Sequence, residues 1–452
     1  MKLRYNFRLY PGPDQCRELA RAFGCARVVF NDALRIGRDA YAQGHARPKA
    51  AELSTRVITE AKRTPERAWL RDVSAVVLQQ SLRDLEAAYS NFFASKNGTR
   101  KGPRVSPPRM KKKAARQAVR FTANARWSIT PSGKLHLPKI GDIPVRWSRE
   151  LPSAPSSVTV IKDPAGRYFA SFVVEAQDKP LPELDVEETD TGIDLGLSSY
   201  AVLRGQKITS PKFFRRQEKK LRRAQRVFSR KKKGSNNRRK ARLVVARIHA
   251  RIADQRRDFI EQHTTTITRE SQGVYVEDLN MKGMAARRGR LGKSVHDQSL
   301  GKFTRTLEAK CARHGRTFVK VSRWYPSTQE CSACHELTGP KGRDQLHVRR
   351  WTCTGCGVAH DRDTNAEVNI RAAGRKRAAE MRHEAERQNA CGERVRPRKS
   401  GQRSSKQEPT RSPAVHHSEA GGITHSHMGE DVKTAGSSRR PSTPTSTADR
   451  VI

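Results

Sequence analysis

Two closely spaced pairs of cysteines constrain the fold of this chain more than any other feature of its sequence. Two residues separate the cysteines within each pair, and eighteen residues separate the pairs, which comprise Cys331, Cys334, Cys353 and Cys356. This spacing is typical of zinc sites in which each pair forms one turn and four thiolates complete a tetrahedron. Because the protein fills all four coordination positions, we expect a structural zinc ion.

The remaining cysteines are scattered along the chain, at Cys16, Cys25, Cys311 and Cys391. This distribution disfavours a disulfide framework and favours a reducing compartment. We interpret Cys311 as a core thiol. His335 follows the first cysteine pair where Gly357 follows the second, and we interpret it as a surface residue in a left-handed turn, not as a fifth ligand.

The charge of the chain indicates its partner. Lys and Arg total 91 against 45 acidic residues, a formal net charge of +46. Such a surplus repels itself unless a polyanion neutralises it, and nucleic acid is the obvious candidate. A membrane is the competing anionic surface, but the sequence has no long apolar run, lipidation signal or signal peptide. We therefore expect nucleic-acid binding, no membrane association, and a soluble intracellular protein of the cytoplasm and nucleoid.

The N-terminal part combines strand and helix patterns. Apolar side chains alternate from residue 2 to 10, which predicts a strand, and recur at helical spacing over 14–34 and 66–95, with Asp14 as the expected first N-cap. Short strand patterns follow at 117–122, 126–130, 134–138, 157–162 and 167–176. They indicate a small barrel. We expect the first strand to join it, so that 14–115 is a helical insertion.

In the C-terminal part, strand and helix patterns alternate after an acidic stretch, 178–190, that we expect to be a linker. The predicted elements are a strand–turn–strand unit at 191–209, a basic helical region at 211–270, strands at 273–279 and 316–322, and helices at 297–314 and 361–387. Beyond residue 390 aliphatic residues are few, so we expect 391–452 to be a disordered basic tail.

Three acidic residues lie in or next to apolar segments. Asp194 lies within an apolar strand, Glu277 ends another, and Asp363 opens the last helix. Two carboxylates about 4 Å apart repel by roughly 4 kcal/mol at an effective dielectric near 20. Divalent ions such as Mg²⁺ or Mn²⁺ remove this cost, and pairs of such ions cleave phosphodiesters. The order of these elements is the layout of an RNase H-like sheet, so we predict that the three acids bind metal and are catalytic.

Each acid also has a simpler interpretation. Asp194 could lie in a turn, and Glu277 with Asp278 could form a solvated strand end. Asp363 could be only the N-cap of the last helix, a position for which Asp361 competes. Whether Asp361 contributes to the site stays open. The three acids together, in a chain of charge +46, favour the catalytic interpretation.

The basic region 211–270 carries an apolar line at Val244, Ile248, Ile252 and Phe259, and Lys and Arg cover much of the rest. A solvated helix face is one interpretation. Because the charge is nearly all of one sign, we favour binding of a phosphate backbone, which positions a duplex without reading its sequence.

Several segments together resemble the TnpB family, the transposon-associated relatives of type V CRISPR effectors. They lie within about residues 1–375 and include FRLYPGPDQ, GIDLGLSSYAVL, VEDLNMKGM, EAKCARHGRTFVKVSRWYPSTQECSAC and WTCTGCGVAHDRDTNAEVNI. In this resemblance Asp194, Glu277 and Asp363 match the three catalytic acids of the family. The zinc ligands match Cys331, Cys334, Cys353 and Cys356. His335 departs from the usual glycine, and the tail is additional.

The resemblance implies an α/β multidomain fold. Its parts are a wedge-like β-barrel (1–13 and 116–180), a helical recognition insertion (14–115), an RNase H-like or RuvC-like nuclease (186–326 and 358–375) and an inserted zinc module (327–357).

The function that the resemblance implies is RNA-guided, metal-dependent DNA cleavage by a transposon-encoded endonuclease. A guide RNA from the transposon end pairs with a DNA strand that is unwound from the duplex, and the protein reads a short flanking motif. A nuclease-inactive RNA-guided regulator and a zinc-ribbon accessory protein of transposition are alternatives, which the three retained acids disfavour. A strand-transfer transposase would have to recognise the transposon end by itself, and the resemblance argues against it. The sequence does not indicate the oligomeric state.

Overall fold

The computed structural model describes residues 1–286, 290–342 and 344–392. Its strands are β1 (Lys2–Leu9), β2 (Gln117–Thr122), β3 (Ser128–Ile129), β4 (Leu135–Leu137), β5 (Gly141–Ile143), β6 (Val145–Arg146), β7 (Ser157–Lys162), β8 (Tyr168–Glu175), β9 (Thr191–Leu195), β10 (Ser199–Leu203), β11 (Gln206–Thr209), β12 (Gly273–Glu277), β13 (Thr317–Val321), β14 (Arg350–Thr352) and β15 (Ala359–Asp361).

The α-helices are α1 (Pro13–Ala42), α2 (Ala50–Ser54), α3 (Ala75–Lys96), α4 (Val186–Thr189), α5 (Phe213–Ser229), α6 (Asn236–Glu270), α7 (Met281–Ala286), α8 (Arg290–Gln298), α9 (Leu300–His314) and α10 (Arg362–Gly392). A π-helical turn at Thr55–Glu60 and 3₁₀ turns at Ala61–Arg63, Pro65–Asp72 and Ala123–Ala125 complete the helical segments. Met1–Cys391 form one compact unit. The predicted disordered tail lies outside the described residues, apart from the end of α10.

The first strand joins the sheet that follows the helical insertion, as predicted. β1 pairs antiparallel with β8 along its whole length and with β6 at its end, and the strand order is β2-β7-β8-β1-β6. The alternation in β1 buries Phe7 and Leu9 in the core of this part of the chain. β3, β4 and β5 form a second, three-stranded sheet. These pairings leave β2 and β6 at the edges of the larger sheet, so closure into a barrel stays a prediction.

The helical insertion buries the predicted apolar stripe of α1, but one expected cap is wrong. Gly12 is the N-cap, whereas Asp14 lies in the first turn. Pro13 at the first helical position lacks an N–H, and the Gln15 side chain accepts the N–H of Gly12 at 3.0 Å, so the turn needs no aspartate cap. The second predicted helix is interrupted, because the 3₁₀ turn Pro65–Asp72 precedes α3.

The second large sheet has the strand order β11-β10-β9-β12-β13. β9, β10 and β11 are antiparallel neighbours, whereas β12 runs parallel to both β9 and β13. Alternate side chains of β12 face opposite cores: Val274 and Val276 pack with Phe303 of α9, whereas Tyr275 packs with Ile370 of α10. Helices therefore cover both faces of this sheet.

Two glycines allow α10 to lie directly on the sheet. A Cβ on Gly192 of β9 would overlap with the backbone of Glu367, and a Cβ on Gly374 of α10 would overlap with the ring of Tyr275. Any larger residue at either position would push the helix away from β9 and β12.

The acidic stretch 178–190, expected to be a linker, is buried at its C-terminal end. Asp190 is only 1% exposed. Its carboxylate accepts hydrogen bonds from the hydroxyl of Tyr275 at 2.7 Å and from Nε of Arg375 at 3.0 Å. Ion pairing with an arginine of α10 offsets the cost of burying this charge, so the stretch anchors the last helix to the sheet.

The basic region consists of two helices, α5 and α6, and the Ser235 side chain accepts the N–H of Arg238 as the N-cap of α6. Ile248 and Ile252 pack against Leu221 of α5. Val244 is 48% exposed, so its assignment to the apolar line was wrong. No helix within the described part of the chain is both long enough and apolar enough to span a membrane.

Candidate functional site

Asp194 and Glu277 come from neighbouring parallel strands. Val276 of β12 is in register with Ile193 of β9, so the next residues in each strand, Glu277 and Asp194, lie side by side. Neighbouring strands are about 4.8 Å apart, and side chains in register on parallel strands point to the same face. Ile193 faces the core formed with α9, so the two acids face the side that α10 covers.

Asp363 reaches the same place from α10. It lies in the first turn of this helix, next to the buried Arg362, and its side chain is 13% exposed. The carboxylates of Glu277 and Asp363 both raise the pKa of Asp194. The structure therefore brings the three predicted acids, far apart in sequence, to one end of the sheet.

The pKa of Asp194 is raised from 3.8 to about 8, first by burial and then by the carboxylates of Glu277 and Asp363. The guanidinium groups of Arg362 and Arg349 act in the opposite direction. Burial also raises the pKa of Glu277, against the effect of a hydrogen bond from Ser327. Because the raising effects on Asp194 exceed those of the two guanidinium groups, the nearby positive charge does not fully balance the buried carboxylates.

Cations lie beside Asp363. Nη1 of Arg349 is 3.0 Å from its Oδ1, and Nζ of Lys207 is 3.9 Å from its Oδ2. Arg349 belongs to the segment between the cysteine pairs and also donates to the Ser198 hydroxyl at 3.2 Å. Sequence reasoning missed both cations, because each is one of 91 Lys and Arg residues with no distinguishing signal.

Ser327 fixes the orientation of Glu277. Its buried hydroxyl donates to Oε1 of Glu277 at 2.6 Å. The side-chain amide of Asn369 donates to the carbonyl oxygens of Ser327 at 2.9 Å and of Glu330 at 2.7 Å. α10 therefore holds the segment that leads into the first cysteine pair, and this segment holds Glu277.

Asp361 has a different role from Asp363. Its Oδ1 accepts the backbone N–H groups of Asp363 and Thr364, each at 3.1 Å, and Nζ of Lys207 is 2.8 Å from its Oδ2. Asp361 therefore caps the N-terminus of α10, and Asp363 is not the N-cap. Although burial is the largest single effect and raises the pKa of Asp361, the hydrogen bonds from Lys207 and Thr364 and the charge of Lys207 together hold this pKa below its ordinary value.

The four predicted zinc ligands form one cluster. The Sγ atoms of Cys331, Cys334, Cys353 and Cys356 all lie within 4.8 Å of one another. The two turns have matching geometry: the N–H of His335 donates to the carbonyl of Cys331, and the N–H of Gly357 to that of Cys353, each at 2.9 Å. Both donor residues have a left-handed backbone, with φ of 65° and 72°. The expected left-handed turn at His335 is confirmed.

Two further residues contact the thiols. The Thr338 hydroxyl donates to Sγ of Cys353 at 3.1 Å, and Nε2 of His360 is 3.1 Å from Sγ of Cys331. The bond from Thr338, with backbone N–H groups of Cys356 and Gly355, lowers the pKa of Cys353 from 9.0 to about 6. Thiolates are the form that binds zinc, and four thiol groups this close together have the donor chemistry of a zinc site. Cys311 is fully buried in the core, as predicted.

The carboxylate site fits hard divalent ions by its chemistry, since carboxylates are the oxygen donors that magnesium takes in proteins. It differs in kind from the thiol cluster, whose four Sγ atoms all lie within 4.8 Å of one another. Two ions about 3.5–4 Å apart do not require such a close set, because each ligand contacts one or both ions.

Three family models match the chain. Residues 171–288 match a family described as "Probable transposase", residues 301–370 match "Cas12f1-like, TNB domain", and residues 1–46 match "Helix-turn-helix domain". The first two together contain the three carboxylates and the four cysteines. Residues 1–46 fold as the strand β1 followed by the single long helix α1, not as two helices joined by a turn.

Two relatives match nearly the whole chain. A protein of Streptomyces pristinaespiralis named "Putative RNA-guided DNA endonuclease" is 40% identical, covering 92% of this chain and 98% of the relative. The Escherichia coli K12 protein named "Putative RNA-guided DNA endonuclease InsQ" is 31% identical, covering 90% and 97%. The chain therefore belongs to the TnpB family.

A solved structure is also similar in part. The Cas12f1 chain in a complex with sgRNA and target DNA covers 78% of this chain and 82% of its own length, with 14% identity and a TM-score of 0.43. The family assignment rests on the sequence relatives.

Proposed function

We propose that the chain is a transposon-encoded, RNA-guided and metal-dependent DNA endonuclease. A guide RNA from the transposon end would pair with one DNA strand beside a short motif read by the protein. The names of the two relatives support RNA guidance and DNA cleavage. The observation that carries the proposal is the meeting of Asp194, Glu277 and Asp363 at one end of a mixed sheet.

The sheet supports an RNase H-like, or RuvC-like, nuclease. Three antiparallel strands, β11, β10 and β9, are followed by two strands parallel to β9. The first acid lies on the central strand, the second ends the adjacent parallel strand, and the third lies on a late helix, which is the layout expected from sequence. We assign 186–326 and 358–375 to this domain and 327–357 to the zinc module.

The other domain assignments follow the strand pairings. The sheet of 1–13 and 116–180 is proposed to be the wedge-like domain, and 14–115 its recognition insertion. β1 pairs with β8 on the far side of the insertion, which supports this division. The exposed arginines and lysines of α5 and α6 are proposed to contact phosphates of the guide RNA and DNA.

Asp194, Glu277 and Asp363 are proposed to hold magnesium or manganese ions, which activate water and stabilise the leaving oxygen of a phosphodiester. The chain itself positions the ligands. Ser327 orients Glu277, and Arg349 balances the charge of Asp363. The four cysteines are proposed to hold a structural zinc ion, which keeps the segment bearing Ser327 and Arg349 folded.

The direct test is purification of the chain from a host that carries the transposon-end DNA, followed by sequencing of the co-purified RNA. The purified complex should cut a plasmid that matches the guide when magnesium is present. Asp194→Ala should abolish cutting and keep the RNA, because the basic surface is unchanged. Asp258→Ala, which removes an exposed acid on α6, is the control and should cut normally.

Two results would contradict parts of the proposal. If no discrete RNA co-purifies, RNA guidance is wrong. If the complex binds matched DNA but does not cut it with magnesium or manganese, the nuclease-inactive regulator replaces the endonuclease.

A further inference from the structure

Trp324 is an exposed aromatic side chain three residues before Ser327, whose hydroxyl binds Glu277. It is 87% exposed, whereas the next residue, Tyr325, packs against the core beneath α10. An exposed indole offers a large amphipathic contact area at a low cost in conformational entropy. The catalytic interpretation does not use this residue.

The turn that carries Trp324 is fixed by its own hydrogen bonds. The N–H of Tyr325 donates to the carbonyl of Ser322 at 3.0 Å, and the N–H of Ser327 donates to the carbonyl of Tyr325 at 2.9 Å. The N–H of Trp324 itself lies 3.3 Å from the Ser322 hydroxyl. The indole is therefore presented from a defined backbone and not from a free loop.

Both ends of this turn are tied to the strand end that bears Glu277. At one end, Arg323 pairs with Asp278, whose N–H donates to the carbonyl of Val321 at 2.9 Å. At the other end, the Ser327 hydroxyl binds the Glu277 carboxylate at 2.6 Å. Trp324 thus lies three residues before Ser327, which contacts the candidate metal ligand Glu277, and it directly follows Arg323.

We propose that Trp324 is a base-stacking site for an unpaired nucleotide of the DNA strand that enters the carboxylate site. This inference rests on the function proposed above. An indole stacks on the face of any base, so such a site does not depend on sequence. The ligand class is single-stranded DNA that bears bases.

The test compares two probes of equal length, a short oligodeoxythymidylate and the corresponding abasic strand. Binding is measured with the full-length chain in the Asp194→Ala background, so that nothing is cut, and at raised salt to weaken the sequence-independent binding expected from the basic surface. Trp324→Ala should weaken binding of the base-bearing strand about tenfold, within the range for one lost stack. Binding of the abasic strand should not change.

Trp324→Phe, which keeps an aromatic ring, should retain most of the difference in binding affinity between the base-bearing and the abasic strand. Trp69→Ala is the matched control, since it removes a tryptophan that is 37% exposed in the helical insertion, and it should preserve the difference in full. Melting temperatures of all variants identify any loss of folding, in which case Trp324→Phe and the abasic strand decide the question.

The proposal is overturned if Trp324→Ala distinguishes the base-bearing strand from the abasic strand as well as the parent does. Failure of guided cleavage by the otherwise unaltered chain contradicts the proposed function instead, because the binding comparison does not depend on cutting.

Discussion

Three effects together determine the pKa of the Asp194 carboxyl group. Burial and the charges of Glu277 and Asp363 favour its protonated form, while nearby guanidinium groups oppose them only in part. Because the pKa is about 8 in the folded chain and 3.8 ordinarily, ionisation of this residue opposes folding. The protonated carboxyl group contributes fully to the stability of the folded chain below pH about 4, and this contribution disappears as the pH rises towards 8.

Asp194→Asn should therefore stabilise the chain and abolish cleavage. Without added divalent ions the variant should melt several degrees above the parent at pH 8, and the difference should shrink towards pH 4, because only the parent loses a proton. Thermal unfolding over this pH range measures the effect. Added magnesium should narrow the difference at pH 8 by stabilising the parent.

Asp361→Asn is the contrasting control for this prediction. The pKa of Asp361 lies below its ordinary value, so its stabilising contribution is present above pH 4 and is lost on acidification. Asparagine keeps the N-cap but loses the charge paired with Lys207. The variant should melt below the parent at pH 8. If both variants changed the melting temperature at pH 8 in the same direction and by the same amount, the assigned directions of the two pKa shifts would be wrong.

At the residue scale, the sequence predicted the unusual positions and missed the ordinary ones. Asp194 and Glu277 stand out because acids are rare in apolar strands, and the cysteines stand out by spacing. Arg349, Lys207 and Ser327 have no such signal, because cations and hydroxyls are abundant in this chain. Their roles depend on tertiary contacts alone.

At the scale of elements, the contact between α10 and the sheet decides whether Asp363 reaches the other acids. Gly192 and Gly374 allow this contact, and Asp190 anchors the helix through Arg375. Neither glycine nor the buried aspartate could be recognised from one sequence, because close approach leaves no periodic pattern.

Gly374→Ala should destabilise the chain and reduce cleavage. In an unpacked helix this change would stabilise by about 1 kcal/mol. Here the added methyl overlaps with the ring of Tyr275, and overpacking typically costs about 1–3 kcal/mol. Chemical denaturation measures whether the free energy of unfolding falls or rises. Ala372→Gly, at an exposed position of the same helix, should cost about 1 kcal/mol by propensity and keep cleavage. A more stable Gly374→Ala variant would contradict the packing.

Cys353→Ser should remove zinc and reduce cleavage together. The segment between the cysteine pairs carries Arg349, which contacts Asp363, so loss of its local order should reach the carboxylates. Metal content by mass analysis and guided cleavage measure the two effects. Cys16→Ser removes a partly buried thiol outside the cluster and should keep both. Full zinc content in the Cys353 variant would contradict the ligand set.

The sequence predicted the principal strands and helices of both sheets, since their hydrophobic periods are clear. It missed β5 and β6, which have three and two residues and are too short for a period to be recognised. It also missed the break before α3, where tertiary packing outweighs a continuous helical pattern.

At the scale of the whole molecule, the net charge of +46 makes binding to any nucleic acid strong and dependent on salt. Under the proposed function, specificity comes from pairing with a guide and from the few groups that touch the cleaved strand. The basic tail, which lies outside the described residues beyond 392, adds charge and none of the candidate site residues.

Deleting residues 391–452 should leave guided cleavage nearly unchanged. The three acids and the four cysteines all precede the deletion, so the proposed metal sites remain complete. Cleavage rates at several salt concentrations test this expectation, with the full chain as the reference. Complete loss of cutting would mean that the tail binds the guide or the target.

Because α10 follows the other described elements in the chain, its position determines when the carboxylate site can form during synthesis. β1 is synthesised first but cannot pair until β8 has been synthesised, and Asp194 cannot approach Asp363 until the start of α10 has been synthesised. At roughly 5–20 residues per second, the second delay is on the order of ten seconds. Under the proposed function, a nascent or prematurely terminated chain that ends before α10 lacks Asp363 and holds nucleic acid without cutting it, so translation itself delays the appearance of cleavage.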